Sequence, residues 1–156
     1  MVKFLKIQTK MRELDLTGSQ LTQHDISQLI LGLITGEIKL VKLTLSENSH
    51  VNDEIVKDLQ LIFSHKSTLE ELYLDKTNIT VKGLVKLLNS AAKSVKVRVI
   101  SVQDCNMDFC GENGGLVVKS LEKVISITQF TYDGNAFDQE FVEMSEQQIQ
   151  LNKKIE

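Results

Sequence analysis

The stretch ELYLDKTNIT, residues 71–80, places apolar side chains at Leu72, Leu74 and Ile79, with Leu69 just ahead, and polar ones nearly everywhere else. Counted from Leu69 the spacing is L-x-x-L-x-L-x-x-T-x-I. The step of two between Leu72 and Leu74 belongs to a strand, in which alternate side chains share a face. The uneven gaps around that pair fit neither a long strand nor a helix.

The same spacing recurs four more times. MRELDLTGSQL runs from Met11 to Leu21, and LVKLTLSENSHV from Leu40 to Val51 with one extra residue before Val51. VRVISVQDCNM runs from Val97 to Met107, and ITQFTYDGNAF from Ile127 to Phe137. The starts at 11, 40, 69, 97 and 127 are 29, 29, 28 and 30 residues apart, which makes this an internal repeat.

Such a chain resembles the leucine-rich repeat family, L-x-x-L-x-L-x-x-N/C-x-L, and by its 28–30-residue period the ribonuclease-inhibitor-like class. The likeness covers residues 11–137 directly. It implies an α/β fold, a short curved solenoid or horseshoe segment with parallel strands inside and helices outside, used in the cell mainly to bind proteins. The corresponding organisation is a single domain over 1–156: a partial N-terminal half-repeat at 1–10, five repeats over 11–137 and a C-terminal capping helix over 138–156.

Between the repeat strands the apolar period becomes helical. Ile26, Leu29, Ile30 and Leu33 form one stripe, followed by Ile55, Leu59, Ile62 and Phe63. Leu84, Leu87, Leu88 and Ala91 form the next, then Val117, Leu121, Val124 and Ile125. Thr22, Asn52 and Thr80 are placed to cap three of these helices. Successive strands joined by helices on one side must run parallel. Strands stack about 4.8 Å apart and helices need about 10 Å, so the stack bends with its sheet inside. The glycine-dense CGENGG at 110–115 is expected to form an enlarged turn ahead of the fourth helix.

Composition narrows the function classes. The 156 residues, 42% of them apolar, can bury one core. A net charge of −3 argues against a general nucleic-acid binder, whose footprint is basic. No run of 18 apolar residues offers a membrane span, and MVKFLKIQTK does not read as a secretory leader. Two cysteines do not make a disulfide framework. A reducing compartment, cytoplasmic or nuclear, is expected.

The ninth position of each repeat reads Ser19, Asn48, Thr77, Cys105 and Asn135. All five can hydrogen-bond the backbone that turns out of the strand, so Cys105 is read as a buried turn thiol and not a nucleophile. Cys110 has no cation beside it to lower its pKa. His24, His50 and His65 show no zinc-like spacing, and GENGG lacks the Lys-Ser/Thr of a phosphate loop. Asn78-Ile79-Thr80 matches a glycosylation acceptor but lies inside a repeat. The expectation is therefore no enzyme, no cofactor and no metal.

The third, fifth and seventh positions point out of the sheet on the concave side. They read Glu13, Asp15, Thr17; Lys42, Thr44, Ser46; Glu71, Tyr73, Asp75; Val99, Ser101, Gln103; and Gln129, Thr131, Asp133. Five acids and one lysine give this face a charge of −4. Tyr73, its one aromatic, sits in the middle repeat like an interface anchor inside a polar rim. The expected partner is a protein with a basic segment, neither nucleic acid nor membrane, and the candidate contacts are Glu13, Asp15, Lys42, Thr44, Glu71, Tyr73, Asp75, Ser101, Gln103 and Asp133.

Two more specific roles belong to the same repeat architecture. The carboxy-terminal domain of tropomodulin is similar in having about five such repeats and a closing helix, and it binds actin. GTPase activators of the RanGAP type share the repeat class, but none of their catalytic residues maps onto a position here. The ends differ. Asp138 can cap a final helix in which Phe141 and Met144 cover the last repeat. At the front, residues 1–10 offer no strand, so that edge is expected to be covered by a second copy, a partner or further repeats.

Overall fold

The computed structural model describes residues 10–36, 38–63 and 68–155. Five strands form one parallel sheet in chain order: β1 (Glu13–Asp15), β2 (Lys42–Thr44), β3 (Glu71–Tyr73), β4 (Val99–Ser101) and β5 (Gln129–Thr131). Each lies within its repeat motif, and the register joins equal repeat positions: Leu14, Leu43, Leu72, Ile100 and Phe130 stand side by side. Helices follow every strand: α1 (Gln23–Thr35), α2 (Val56–Ile62), α3 (Val81–Ala91), α4 (Gly111–Leu121) and α5 (Gln139–Lys153). Each helix packs on the next, and the core fills the layer between helices and sheet. The fold is a leucine-rich-repeat solenoid.

Two columns of side chains carry the core. In the inner one Leu45, Leu74 and Val102 are fully buried, while Leu16 and Tyr132, in the end repeats, are only partly so. The ladder continues past the strands: Leu16, Leu45, Leu74 and Val102 each donate their N–H to the carbonyl of Thr44, Tyr73, Ser101 and Thr131 in turn, all at 2.9 Å. The ninth positions hold the turns. Asn48 Nδ2 donates to Leu16 O, Leu45 O and Ser46 O, and its Oδ1 accepts from Leu21 N. Asn135 Nδ2 donates to Val102 O and Tyr132 O, while its Oδ1 accepts from Cys105 N and Met107 N. Thr77 donates to Leu74 O, and Cys105 Sγ donates to Leu74 O and Gln103 O. Ser19 alone of the five is exposed, because it belongs to the first repeat.

The helix starts mostly follow the caps expected. Thr22 accepts from Asp25 N in a capping box, Thr80 accepts from Gly83 N, and Asp138 accepts from Phe141 N. Asn52 is the exception. Its Oδ1 accepts from Glu54 N, closing a tight turn, and α2 starts only at Val56 with no side-chain cap. That turn leaves Asp53 free to accept from Thr80 N and Thr80 Oγ1 of the next repeat.

Three further expectations need correction. CGENGG is not an enlarged turn, since Gly111 to Gly115 form the first turns of α4. Gly114 is required there because a Cβ would sit 2.1 Å from Phe109 O and 3.1 Å from the Phe141 ring. Ile125 is exposed because α4 ends at Leu121, so the helical period no longer governs its direction. Met144 is exposed as well; α5 instead faces inward with Phe141, Ser145 and Asn152. Asn152 can be buried because it donates to Val124 O and Ile127 O and accepts from Gln148. The front half-repeat lies almost wholly outside the described residues, as does His65.

Two substitutions test this framework. Leu74→Asp buries an unpaired carboxylate in the middle of the inner column and should abolish the cooperative melting transition. Asn48→Ala strands several buried backbone groups and should cost about 3 kcal/mol in urea titration, whereas Ser19→Ala should stay within about 0.5 kcal/mol of wild type.

Candidate functional site

The register sets the concave face in three rows. Glu13, Lys42, Glu71, Val99 and Gln129 form one; Asp15, Thr44, Tyr73, Ser101 and Thr131 the next. Thr17, Ser46, Asp75, Gln103 and Asp133 continue each strand by two residues. The fifteen positions therefore do share one surface.

Tyr73 is half-buried at the centre, as the sequence suggested, and its surroundings fix it. Its hydroxyl donates to Glu71 Oε2 at 3.0 Å, and Lys42 Nζ lies 4.9 Å from its ring centroid and 3.8 Å from the same carboxylate oxygen. Lys42 thus neutralises Glu71 and covers one face of the ring. Partial burial, then the Glu71 hydrogen bond, hold the Tyr73 phenol above its ordinary value of 10.0.

Asp75 behaves differently from the other acids. Its Oδ1 accepts from Ser101 Oγ and from Gln103 N at 2.8 Å, and its own N–H donates to Ser46 Oγ at 3.1 Å. Thr131 Oγ1 donates to Ser101 Oγ at 2.6 Å, so one polar chain crosses four repeats. Ser46 and Ser101 are consequently buried, which removes Ser101 from the surface a partner can touch. Glu13, Asp15 and Asp133 are exposed. Hydrogen bonds from the Thr17 hydroxyl and N–H hold the Asp15 carboxyl below its usual range, and Asp133 accepts from Gln103 Nε2 at 3.0 Å. Beyond β5 the face runs into an open groove of about 470 Å³, between Thr128–Asp133 and the Glu146, Ile149 and Lys153 side of α5.

The rim carries a row the sequence pattern did not single out. Gly18, Glu47, Lys76, Asp104 and Gly134, the eighth positions, all have left-handed backbone, with φ of 60°, 59°, 53°, 52° and 75°. Each of the first four donates its N–H across to the seventh position of the next repeat, at 2.8–3.0 Å. Left-handed backbone costs an ordinary L-residue roughly 1–2 kcal/mol, and these ladder bonds hold it. The exposed Lys76–Glu47 pair at 3.0 Å adds little. Two terminal glycines were the only sequence signal.

Neither cysteine is an activated thiol. Cys105 is buried, and desolvation raises its thiol pKa; Cys110 is exposed, but the Asp108 carboxylate raises its thiol as well. Among the described residues no group of His, Cys, Asp and Glu is placed to hold a metal, and no helix is long and apolar enough to cross a membrane.

The Tyr73 geometry predicts its titration. In a Tyr132→Phe background, phenolate absorbance should rise above pH 10.0, and Glu71→Gln should move the midpoint down. Because the folded value is raised, the neutral phenol stabilises the fold below pH 10.0 and that contribution disappears as pH climbs through the folded pKa.

No family model matches the sequence, and no curated protein matches it. Solved structures do. The chain is similar to the actin-binding site 2 (ABS2) of leiomodin-1, with a TM-score of 0.82 over 99% of this chain and 88% of that one, at 13% identity. It is also similar to the C-terminal domain of tropomodulin from Caenorhabditis elegans, with a TM-score of 0.80 over 99% of this chain and 94% of that one, at 15% identity. At such identities the likeness is one of fold.

Proposed function

We propose that this chain is a binding module of the ribonuclease-inhibitor-like repeat class, and that the protein it binds is actin. The observation that carries the reading is the extent of the fold likeness, which takes in nearly the whole of this chain and of both neighbours, one of them described by its actin-binding site. A module of this kind works by contact and not by catalysis, in the cytoplasm. Its contact surface on this reading is the concave face, with Tyr73 as anchor, Glu13, Asp15, Lys42, Thr44, Glu71 and Gln103 around it, and Asp133 at the far rim.

The charge of that face favours a second reading, in which the occupant is a basic segment of another protein. Five acids against one lysine would steer such a segment in, with an association rate that falls as salt rises.

Asp75 is a poor place to test either reading, because its carboxylate holds Ser101 and the Gln103 backbone. Tyr73→Ala with Glu13→Lys and Asp133→Lys alters the surface and spares that chain. The wild type should co-sediment with actin filaments and change the rate of actin polymerisation, and the triple variant should bind about 30-fold more weakly. A wild type that leaves actin untouched but binds lysine-rich peptides through the same residues would replace the first reading with the second.

A further inference from the structure

From Lys76 to Gln103 the chain carries six Lys or Arg and no Asp or Glu, in a protein whose net charge is −3. Some of these cations lie on the turns that leave the helices for the next strand, on the side of the solenoid away from the left-handed rim. Two such turns are neighbours: Ser126 Oγ donates to Ser94 O at 3.3 Å. The end of α5 joins them, since Asn152 Nδ2 donates to Val124 O at 3.0 Å and to Ile127 O at 2.8 Å. Lys93, Lys96, Lys123, Lys153 and Lys154, all exposed, thereby gather along one edge. Glu122 is the one acid among the described residues of these three segments.

Between the lysines stand three exposed apolar side chains. Val95 is 81% exposed, Ile125 56% and Ile155 66%. Val95 and Ile125 occupy the same repeat position, each two residues before a fully buried one, Val97 and Ile127. Lysines at helix C-termini answer the helix dipole, and Lys123 Nζ also donates to Asn89 Oδ1 at 2.9 Å, which accounts for Lys93, Lys123, Lys153 and Lys154 but not for Lys96. Neither does it account for the aliphatic tips, which the core does not use. The tips stand on separate segments, Val95 and Ile125 on the turns after α3 and α4 and Ile155 after α5. Isolated aliphatic tips ringed by cations suit a layer into which each can sink while the ammonium groups meet phosphates.

We propose that this edge docks on an anionic lipid bilayer, with the lysines on the headgroup phosphates and Val95, Ile125 and Ile155 in the interfacial layer. This departs from the expectation of no membrane partner. The absence of a long apolar run argues against crossing a bilayer and is silent about resting on one. Of these lysines only Lys153 also lines the groove beyond the concave face, and the variants below leave it in place, so either proposal can stand without the other.

Sedimentation with phosphatidylcholine vesicles, with and without added phosphatidylserine, tests it. The wild type should pellet only with the phosphatidylserine vesicles and be released by high salt. Lys93→Ala with Lys96→Ala and Lys123→Ala should lower the affinity about fivefold per lysine, about a hundredfold together. Val95→Ser with Ile125→Ser should lower it without changing the salt dependence. Lys96→Glu alone asks less of folding and should show the same loss in smaller measure; circular dichroism melts confirm that each variant folds. Failure to pellet with phosphatidylserine vesicles, equal pelleting with neutral ones, or full affinity in folded lysine variants would overturn the proposal. Retention on polyglutamate resin through the same lysines, without vesicle binding, would overturn it in favour of an acidic protein.

Discussion

The solenoid depends on one recurring contact, a buried polar side chain at the ninth position of the repeat bonded to carbonyls where the strand turns away. Those carbonyls sit beside the core, where an unpaired acceptor costs about 1–3 kcal/mol. Asn48 and Asn135 each serve their own repeat and the one before, so they fasten repeats together as well as closing turns. Thr77 and Cys105 do less. Thr77 donates to its own strand at Leu74 O and touches the next repeat only through Cys105 Sγ at 3.7 Å, and Cys105 offers a thiol, a weak donor, to that same carbonyl. Among the four ninth positions away from the first repeat, the middle of the stack is therefore where the contact is poorest. It is also where the concave chain of Ser46, Asp75, Ser101 and Thr131 crosses from repeat to repeat. A weakness on one side of the sheet is offset on the other.

That division bears on which acids of the concave face can meet a partner. Asp75 is tied to Ser101 and the Gln103 backbone and Glu71 to Lys42 and Tyr73, so both side chains are held by the fold and not turned to a partner. Glu13, Asp15 and Asp133 lie exposed toward the two ends of the sheet. A counter-charge would find its purchase at the ends and Tyr73 at the middle, an arrangement suited to an extended segment lying across the strands more than to a single side chain in a pocket.

Much of the fold was legible because the repeat states each feature five times. Strand position, parallel order, register and the helical stripes follow from a period that a single substitution cannot hide. The sequence misled where a residue answers to a neighbouring repeat and not to its own. Asn52 looks like a helix cap, yet Asp53 is needed by Thr80 and the turn forms first. Glycines in α4 look like a loop, and Gly114 is there because Phe109 and Phe141 leave no room for a Cβ. Ser101 occupies an outward position, and Asp75 from the preceding repeat draws it in. The left-handed Glu47, Lys76 and Asp104 were invisible, because their conformation is imposed by the ladder and not preferred by the residue.

The far end shows how a repeat stops. Four aromatic rings close around Tyr132: Phe109, Phe130, Phe137 and Phe141 have centroids 6.0, 5.5, 5.4 and 5.0 Å from it. Phe109 and Phe141 also stack, 4.9 Å apart and 9° from parallel. At this position the ring takes the place of the leucine of earlier repeats, and Phe141 brings α5 against it. Its hydroxyl lies 3.4 Å from Ser145 Oγ on that helix, so the residue that ends the apolar column also begins the polar surface beyond it. Asn152 then secures the other end of α5 to the backbone at Val124 and Ile127. The helix is thus held by rings at its start and by an amide at its finish, and its outer face is left polar enough to meet water.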